Sequence, residues 1–237
     1  QVECATAASS FEFLSVFKWE YRKGWDILLS AYWHTFSKHD SVVLRLRTYM
    51  PPWEHEQDTN ITKHVEAFAR QTMGVSSLSE LAPVTWETGK NSTLLSDSLS
   101  RADIRDMLAS ADSFVLPTRG EGWGLPIAEA MAMRIPTIVS DCPGPRAYAT
   151  DENAYLIPPE ENDPELVDAR GYFKPDREAL GSLMRKVIWD SGPQGGGKAL
   201  AKTAKARSDM AALSPIKIAA MMAASLREEA GVRGWLF

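Results

Sequence analysis

The sequence predicts an α/β protein: a Rossmann-like parallel sheet with helices on both faces, followed by a C-terminal helical tail. Three observations predict it. Apolar, β-branched runs alternate with amphipathic segments about every 20 to 30 residues, the pattern of parallel strands joined by crossover helices. The first run, "FEFLSVF" at 11–17, is apolar with aromatics and reads as a buried strand. A later strand, "DSFVLPT", passes through a glycine-rich loop straight into a helix, "TRGEGWGLPIAEAMA" at 118–132.

The elements follow in order. After the first strand, "GWDILLSAYWHTFSK" at 24–38 spaces Trp25, Leu28, Leu29, Tyr32, Trp33 and Phe36 as a helix does. "SVVLRLRTYM" returns to strand character, and "PPWEHEQDT" is a polar loop. "NITKHVEAFARQTM" opens on Asn60, a candidate N-cap, and continues as an amphipathic helix. "APVTWE" is a short strand, "TGKNSTLLSDSLS" a loop and "RADIRDMLASA" a short helix. "DSFVLPT" is followed by a helix over about 125–133, then the strands "IPTIVS" and "NAYLIP", with "CPGPRAYAT" as a turn and short helix between them. Helices over 176–190, 198–212 and 215–230 complete the chain.

The 237 residues are 44% hydrophobic and 24% charged, so a core of ordinary size can be buried. The formal net charge of -5 excludes a broad nucleic-acid surface, which needs a basic face. An anionic ligand would need a local cluster instead. No apolar run reaches the roughly 18 residues of a membrane span. The opening "QVECATAASS" lacks a basic region, an apolar region and an initiator Met, and reads as the continuation of a longer chain. Cys4 and Cys142 make no disulfide framework, and no Cys/His spacing suggests zinc. Asn60 and Asn91 stand in glycosylation sequons, which leaves the compartment open.

Chemistry concentrates at 118–132. Ligands of parallel sheets sit at the carboxyl ends of strands. The following helix N-terminus offers unpaired N–H groups and partial positive charge. Gly122 and Gly124 let backbone approach a ligand, which suits phosphate or another oxygen-rich group. Glu121 and Glu129 would accept hydrogen bonds from hydroxyls. A ligand with phosphates and sugar hydroxyls satisfies both. The competing reading makes Glu121 a solvated loop acid and Glu129 an exposed helix residue. Ile127, Ala128, Ala130, Met131 and Ala132 around Glu129 predict instead that it is partly buried.

"EGWGLPIAEAMAMRIPTIVSD" resembles the donor-binding signature of retaining glycosyltransferases of the GT-B fold, the group 1 or family 4 type: a glutamate, seven residues and a second glutamate. "FLSVFKWEYRKGWDILLSAY" resembles that family's first strand, basic loop and helix. Lys18 stands where the family usually has Arg, and Lys23 at the Lys of its Lys-Gly pair. The resemblance runs over about residues 11–190. It implies the C-terminal, nucleotide-sugar-binding half of a GT-B enzyme. Residues 1–10 would be a linker from an absent N-terminal half, 11–190 the donor domain and 191–237 a helical tail. Glu129 would bind ribose hydroxyls and Glu121 the donated sugar. The backbone of Gly122, Trp123, Gly124 and Leu125 would meet the diphosphate or sugar, with Thr118 at the same mouth. Lys18 and Lys23 would neutralise the leaving diphosphate, unless they are a solvated loop pair. The nucleotide sugar is a substrate, and no cofactor or metal is implied, in keeping with the lack of an Asp-x-Asp motif. The acceptor would lie on the absent half, so this chain would bind donor without transferring sugar.

Other motifs fail. "GPQGGGKA" ends in Ala199 rather than Ser or Thr and follows a helical segment, against a P-loop. "KWEYRKG" has no Gly-x-Gly-x-x-Gly, against a nicotinamide dehydrogenase. His34, His39, His55 and His64 all lie far from the motif in sequence. The rival class is a binding or partner subunit that keeps the fold without turnover.

Overall fold

A computed structural model of the chain describes residues 10–51, 60–88, 100–160, 167–168 and 170–214, with positions 216–218, 220, 222 and 224 beyond them. Cys4, His55, Asn91 and most of the expected loops at 51–59 and 88–100 lie outside the described residues.

Six strands form one sheet: β1 (Phe11–Lys18), β2 (Val42–Tyr49), β3 (Val84–Thr88), β4 (Ser113–Leu116), β5 (Thr137–Ser140) and β6 (Tyr155–Ile157). Their order is β3-β2-β1-β4-β5-β6, and every pairing is parallel. This is the Rossmann-like sheet the alternation predicts. Parallel strands need crossovers of a dozen or more residues, and the amphipathic segments supply them. β4 and β5 are buried along their whole length, as strands covered on both faces must be.

The helices are α1 (Trp25–Thr35), α2 (Ile61–Met73), α3 (Arg101–Ala109), α4 (Leu125–Ala132), α5 (Arg177–Ser191) and α6 (Lys198–Ala212). Asn60 caps α2 by accepting from Lys63 N at 3.3 Å, as its position predicts, and Gly74 ends the helix in the left-handed region. Ser100 and Asp103 form a reciprocal capping box on α3. α1 stops at Thr35, three residues short of the expected end, because Phe36 turns extended and drops into the core. The "GPQGGGKA" stretch is a turn between α5 and α6 with no strand before it, so it is not a phosphate loop. Gly195 is required there, since a Cβ would lie 2.5 Å from Asp190 backbone.

α1 packs on α5 and α4 on α6, with Leu180, Met184, Val187, Ala206 and Met210 joining the sheet core. Of the expected 215–230 helix, the described positions are helical, and Ile216, Ile218 and Met222 are exposed. Among the described residues no helix is long and apolar enough to cross a membrane.

One contact fixes the sheet's carboxyl edge. Gly24, in the left-handed region between β1 and α1, sits so close to the β4 exit that a Cβ would stand 2.0 Å from Pro117 O. We expect Gly24→Ala to destabilise the fold by about 2–5 kcal/mol, combining left-handed strain with overpacking against backbone. Urea denaturation of the two chains measures it, and a change under 1 kcal/mol on the same assay (about the level of a surface substitution) would contradict the contact.

Candidate functional site

The strand order reverses between β1 and β4. That is the switch point of an open α/β sheet, where the loops leaving adjacent strands diverge and a crevice opens. From β1 the chain runs through Trp19, Glu20 and a single 3-10 turn at Tyr21–Lys23 to Gly24 and α1. From β4 it runs through Pro117, Thr118, Arg119 and Gly120 to Glu121 and the glycine turn before α4.

The two loops are stitched together. Arg119 N donates to Arg22 O at 2.7 Å. Thr118 Oγ1 lies 3.1 Å from Arg22 O and 3.0 Å from Gly120 O, and accepts from Gly120 N at 3.2 Å. Thr118 is therefore fully buried, with its hydroxyl committed to holding the loops. The Arg119 guanidinium makes a bidentate pair with Asp26, both bonds 2.7 Å, and donates to Tyr21 O at 2.8 Å. It also lies 3.8 Å over the Tyr21 ring. Tyr21 OH donates to Asp168 Oδ2 at 2.9 Å, and Phe173 N donates to Arg119 O at 3.0 Å, which brings in a third segment.

Glu121 stands at the centre of a charge cluster. Oε1 accepts from Lys23 Nζ, and Oε2 lies 3.5 Å from Arg22 Nη1. Arg22 also donates to Gly120 O at 2.6 Å and to the buried Glu20 at 3.1 Å. The Glu121 side chain is only 8% exposed, so these cations offset its desolvation. Its negative charge reaches neutral neighbours. Burial pushes the Cys142 thiol up to about 12, with the charges of Glu121 and Asp141 adding to the effect. Burial, again with Glu121, raises the Tyr148 phenol. Both stay protonated at neutral pH.

The turn before α4 is open. Gly124 caps α4 in the left-handed region, at φ 84°, without a side-chain cap bond. A Cβ on Gly122 would meet nothing within 4 Å. Trp123 and Leu125 are exposed. Tyr148 OH donates to Trp123 O at 2.6 Å, and the two rings lie 4.8 Å apart, so the loop after β5 braces the turn. Gly144 closes that brace: at φ 93° its hydrogen faces Glu121 O, where a Cβ would stand at 2.3 Å.

The structure brings Lys23, Thr118, Glu121, Gly122, Trp123, Gly124 and Leu125 to one edge. Lys18 ends β1 at that edge and is half-buried. Glu129 lies one turn into α4 and is exposed, which corrects the expectation of partial burial. On α4 the buried residues are Ile127, Ala130 and Met131, spaced three and four apart. Apolar neighbours in sequence are therefore not neighbours on the helix face. Arg22, Glu20, Arg119, Asp26, Tyr148 and Gly144 belong to the site as well and escape the sequence reading. Arg22 adjoins Lys23 in the basic loop, which was the available signal. Arg119 and Asp26 lie 93 residues apart, and no spacing reports that pair. Among the described residues no group of three or more His, Cys, Asp and Glu could hold a metal ion. A separate concavity between α1 and α5, lined by His34, Thr35, Arg177, Gly181 and Arg185, lies at the far end of α1 from the switch point.

The fold and this edge define a Rossmann-like domain with a crevice at its switch point. The family model for glycosyl transferases group 1 matches residues 10–171. The chain belongs to that family. No curated protein matches its sequence. Among solved structures it is similar to the C-terminal domain of a group 1 glycosyl transferase from Francisella tularensis, at 17% identity and TM-score 0.59, with 87% of each chain covered. It is similar to HepE from Anabaena in complex with UDP, at 18% identity and TM-score 0.65, covering 93% of this chain and 50% of that one. It is also similar to an α,α-trehalose 6-phosphate synthase from Burkholderia multivorans, at 16% identity and TM-score 0.67, covering 95% of this chain and 44% of that one. The chain thus spans half or less of HepE and of the trehalose 6-phosphate synthase, and these likenesses establish the GT-B half fold.

Removing Arg119 takes away the stitch and leaves Asp26 unpaired. We expect Arg119→Ala to destabilise the fold by about 1–3 kcal/mol, the cost of leaving a part-buried, hydrogen-bonded charge unpaired. Arg119→Lys should recover only part of it, because an ammonium cannot make the bidentate bond. Denaturant midpoints of the three chains provide the comparison, and full recovery by Lys would contradict it.

Proposed function

We propose that this chain is the donor-binding half of a retaining, metal-independent glycosyltransferase. The observation that carries it is the pairing of Glu121 with Lys23 beside the α4 N-terminus, which no side chain caps, at the sheet's switch point. A nucleoside-diphosphate sugar needs cations and N–H donors for its diphosphate and carboxylates for its hydroxyls. That edge supplies both kinds of group within one loop pair. The HepE structures in complex with UDP and with UDP-glucose, on a similar fold, support the choice of ligand.

In this proposal Lys18 and Lys23 stabilise the leaving diphosphate together with the Gly122–Gly124 backbone. Such fixed charges act most strongly where water is excluded, and they make a metal ion or cofactor unnecessary. Glu121 holds hydroxyls of the donated sugar. Glu129, accessible on α4, holds ribose hydroxyls. Trp123 and Leu125 frame the mouth. The diphosphate leaves from the face the acceptor attacks, so configuration is retained. The acceptor sits on a facing half, which residues 1–10 link to a donor domain at 11–190.

Glu129→Ala should weaken nucleotide-sugar binding by about 1–3 kcal/mol, the value of a charged hydrogen bond. Titration calorimetry with several nucleotide sugars tests this, and unchanged affinity for each that binds the parent would refute the ribose role. Glu121→Ala should impair transfer more than nucleotide binding.

Transfer needs donor and acceptor held in contact in a cleft shielded from water. We therefore expect the 237-residue chain to bind donor and to transfer nothing until a facing half is supplied. Labelled nucleotide sugars incubated with acceptors, with and without that half, decide the matter. Robust transfer by this chain alone would overturn the two-half arrangement.

A further inference from the structure

The two cations on Glu121 are held differently. Lys23 is a compact charge on a flexible stem, and its Nζ meets Oε1 of Glu121. The Arg22 fork is anchored beyond Glu121, through Nη1 to Gly120 O at 2.6 Å and through Nη2 to Glu20 at 3.1 Å. It waits 3.5 Å from Oε2 of Glu121. If Lys23 turns to a diphosphate, the proposed role on which this inference rests, Glu121 loses its nearer cation while still buried. A buried carboxylate without a counter-charge takes up a proton. In the proposed function Lys18 goes to the diphosphate with Lys23, and the next groups supply no cation to Glu121. Cys142 and Tyr148 are neutral, Asp141 is an anion tied to Arg146, and Glu20 is an anion beyond Arg22.

We propose that Arg22 is a positioning residue that takes over Glu121 when donor binds, supplying its counter-charge and holding it aimed while Lys23 swings to the diphosphate. Arg22 touches neither sugar nor phosphate in this role. It acts through Glu121, and its anchors at Gly120 and Glu20 keep it in place while Lys23 moves.

Proton linkage tests this. The diphosphate of a nucleotide sugar does not titrate near neutral pH, so proton exchange on binding reports on the protein. The 237-residue chain is titrated with UDP-glucose, UDP-N-acetylglucosamine, GDP-mannose and ADP-glucose in buffers of different ionisation heat. The parent should bind at least one of them with no net proton exchange. In Arg22→Met, bound Glu121 would have neither Lys23 nor Arg22 beside it, and a buried carboxylate stripped of its counter-charges holds a proton more tightly. Binding should then take up as much as one proton, and affinity should fall up to about tenfold for each unit that pH rises between the two states. Arg22→Gln should behave alike, and adding Glu121→Gln to Arg22→Met should abolish the uptake.

Weaker binding by both Arg22 variants without proton uptake would overturn the proposal and leave the donor-binding function standing. Failure of the parent to bind any of the four would overturn both. If neither variant folds, the parent crystallised with its nucleotide sugar gives the answer. Lys23 on phosphate with Arg22 hydrogen-bonded to Glu121 supports the handover, and Lys23 still on Glu121 overturns it.

Discussion

The site depends on one stitch, the seam between the β1–α1 turn and the β4–α4 loop. Gly24 allows the approach because it has no side chain to meet Pro117 O. Arg119 and Thr118 then bind the carbonyl of Arg22, and the Arg119 guanidinium reaches Asp26 in the first turn of α1. These bonds fix the backbone that carries Arg22 and Lys23 against the backbone that carries Glu121. A single register of the parallel sheet makes this possible, since β1 and β4 are adjacent although about a hundred residues separate them. The charge cluster is a consequence of that seam.

Electrostatics explains why the cluster has several members. A lone carboxylate as buried as Glu121 would be costly, and so would lone ammonium or guanidinium groups. Glu20, Arg22, Lys23 and Glu121 form an alternating set in which each charge faces an opposite one. The set is neutral in sum, so the loop pair folds without a ligand.

The sheet and its helices were legible because local physics decides them. Apolar runs such as "FEFLSVF" and "DSFVLPT" become β1 and β4, and Asn60 caps α2 where its position says it should. The glycine turn and Glu121 were also visible in a short stretch of distinctive composition, and Lys23 through a family resemblance, but not the pairing of Glu121 with Lys23. What escaped depends on distance in the chain. Nothing in "TRGEG" reports that Arg119 pairs with Asp26, or that Gly144 lies under the Glu121 carbonyl. Glu129 shows the converse error. Its apolar sequence neighbours suggested burial, but helical geometry turns Ile127, Ala130 and Met131 inward and leaves Glu129 in solvent.

The tail also bears on the site. α6 packs along α4, the helix whose N-terminus closes the glycine turn, and its Ala206 and Met210 join the sheet core. Asn153 ties the segment before β6 to α6 through Asp209 at 2.8 Å and to Tyr148 O at 2.9 Å. Tyr148 in turn holds Trp123 O. A continuous line of packed and hydrogen-bonded groups therefore runs from α6 through Asn153 and Tyr148 to the turn that precedes α4. The short α4, eight residues long, has little stability of its own, because isolated helices of that length are marginal in water. Its direction, and with it the direction of its N-terminal N–H groups, is set from both sides: by β4 and the stitched loop at its start, and by α6 along its length. In this sense α6 is part of the apparatus that aims the site.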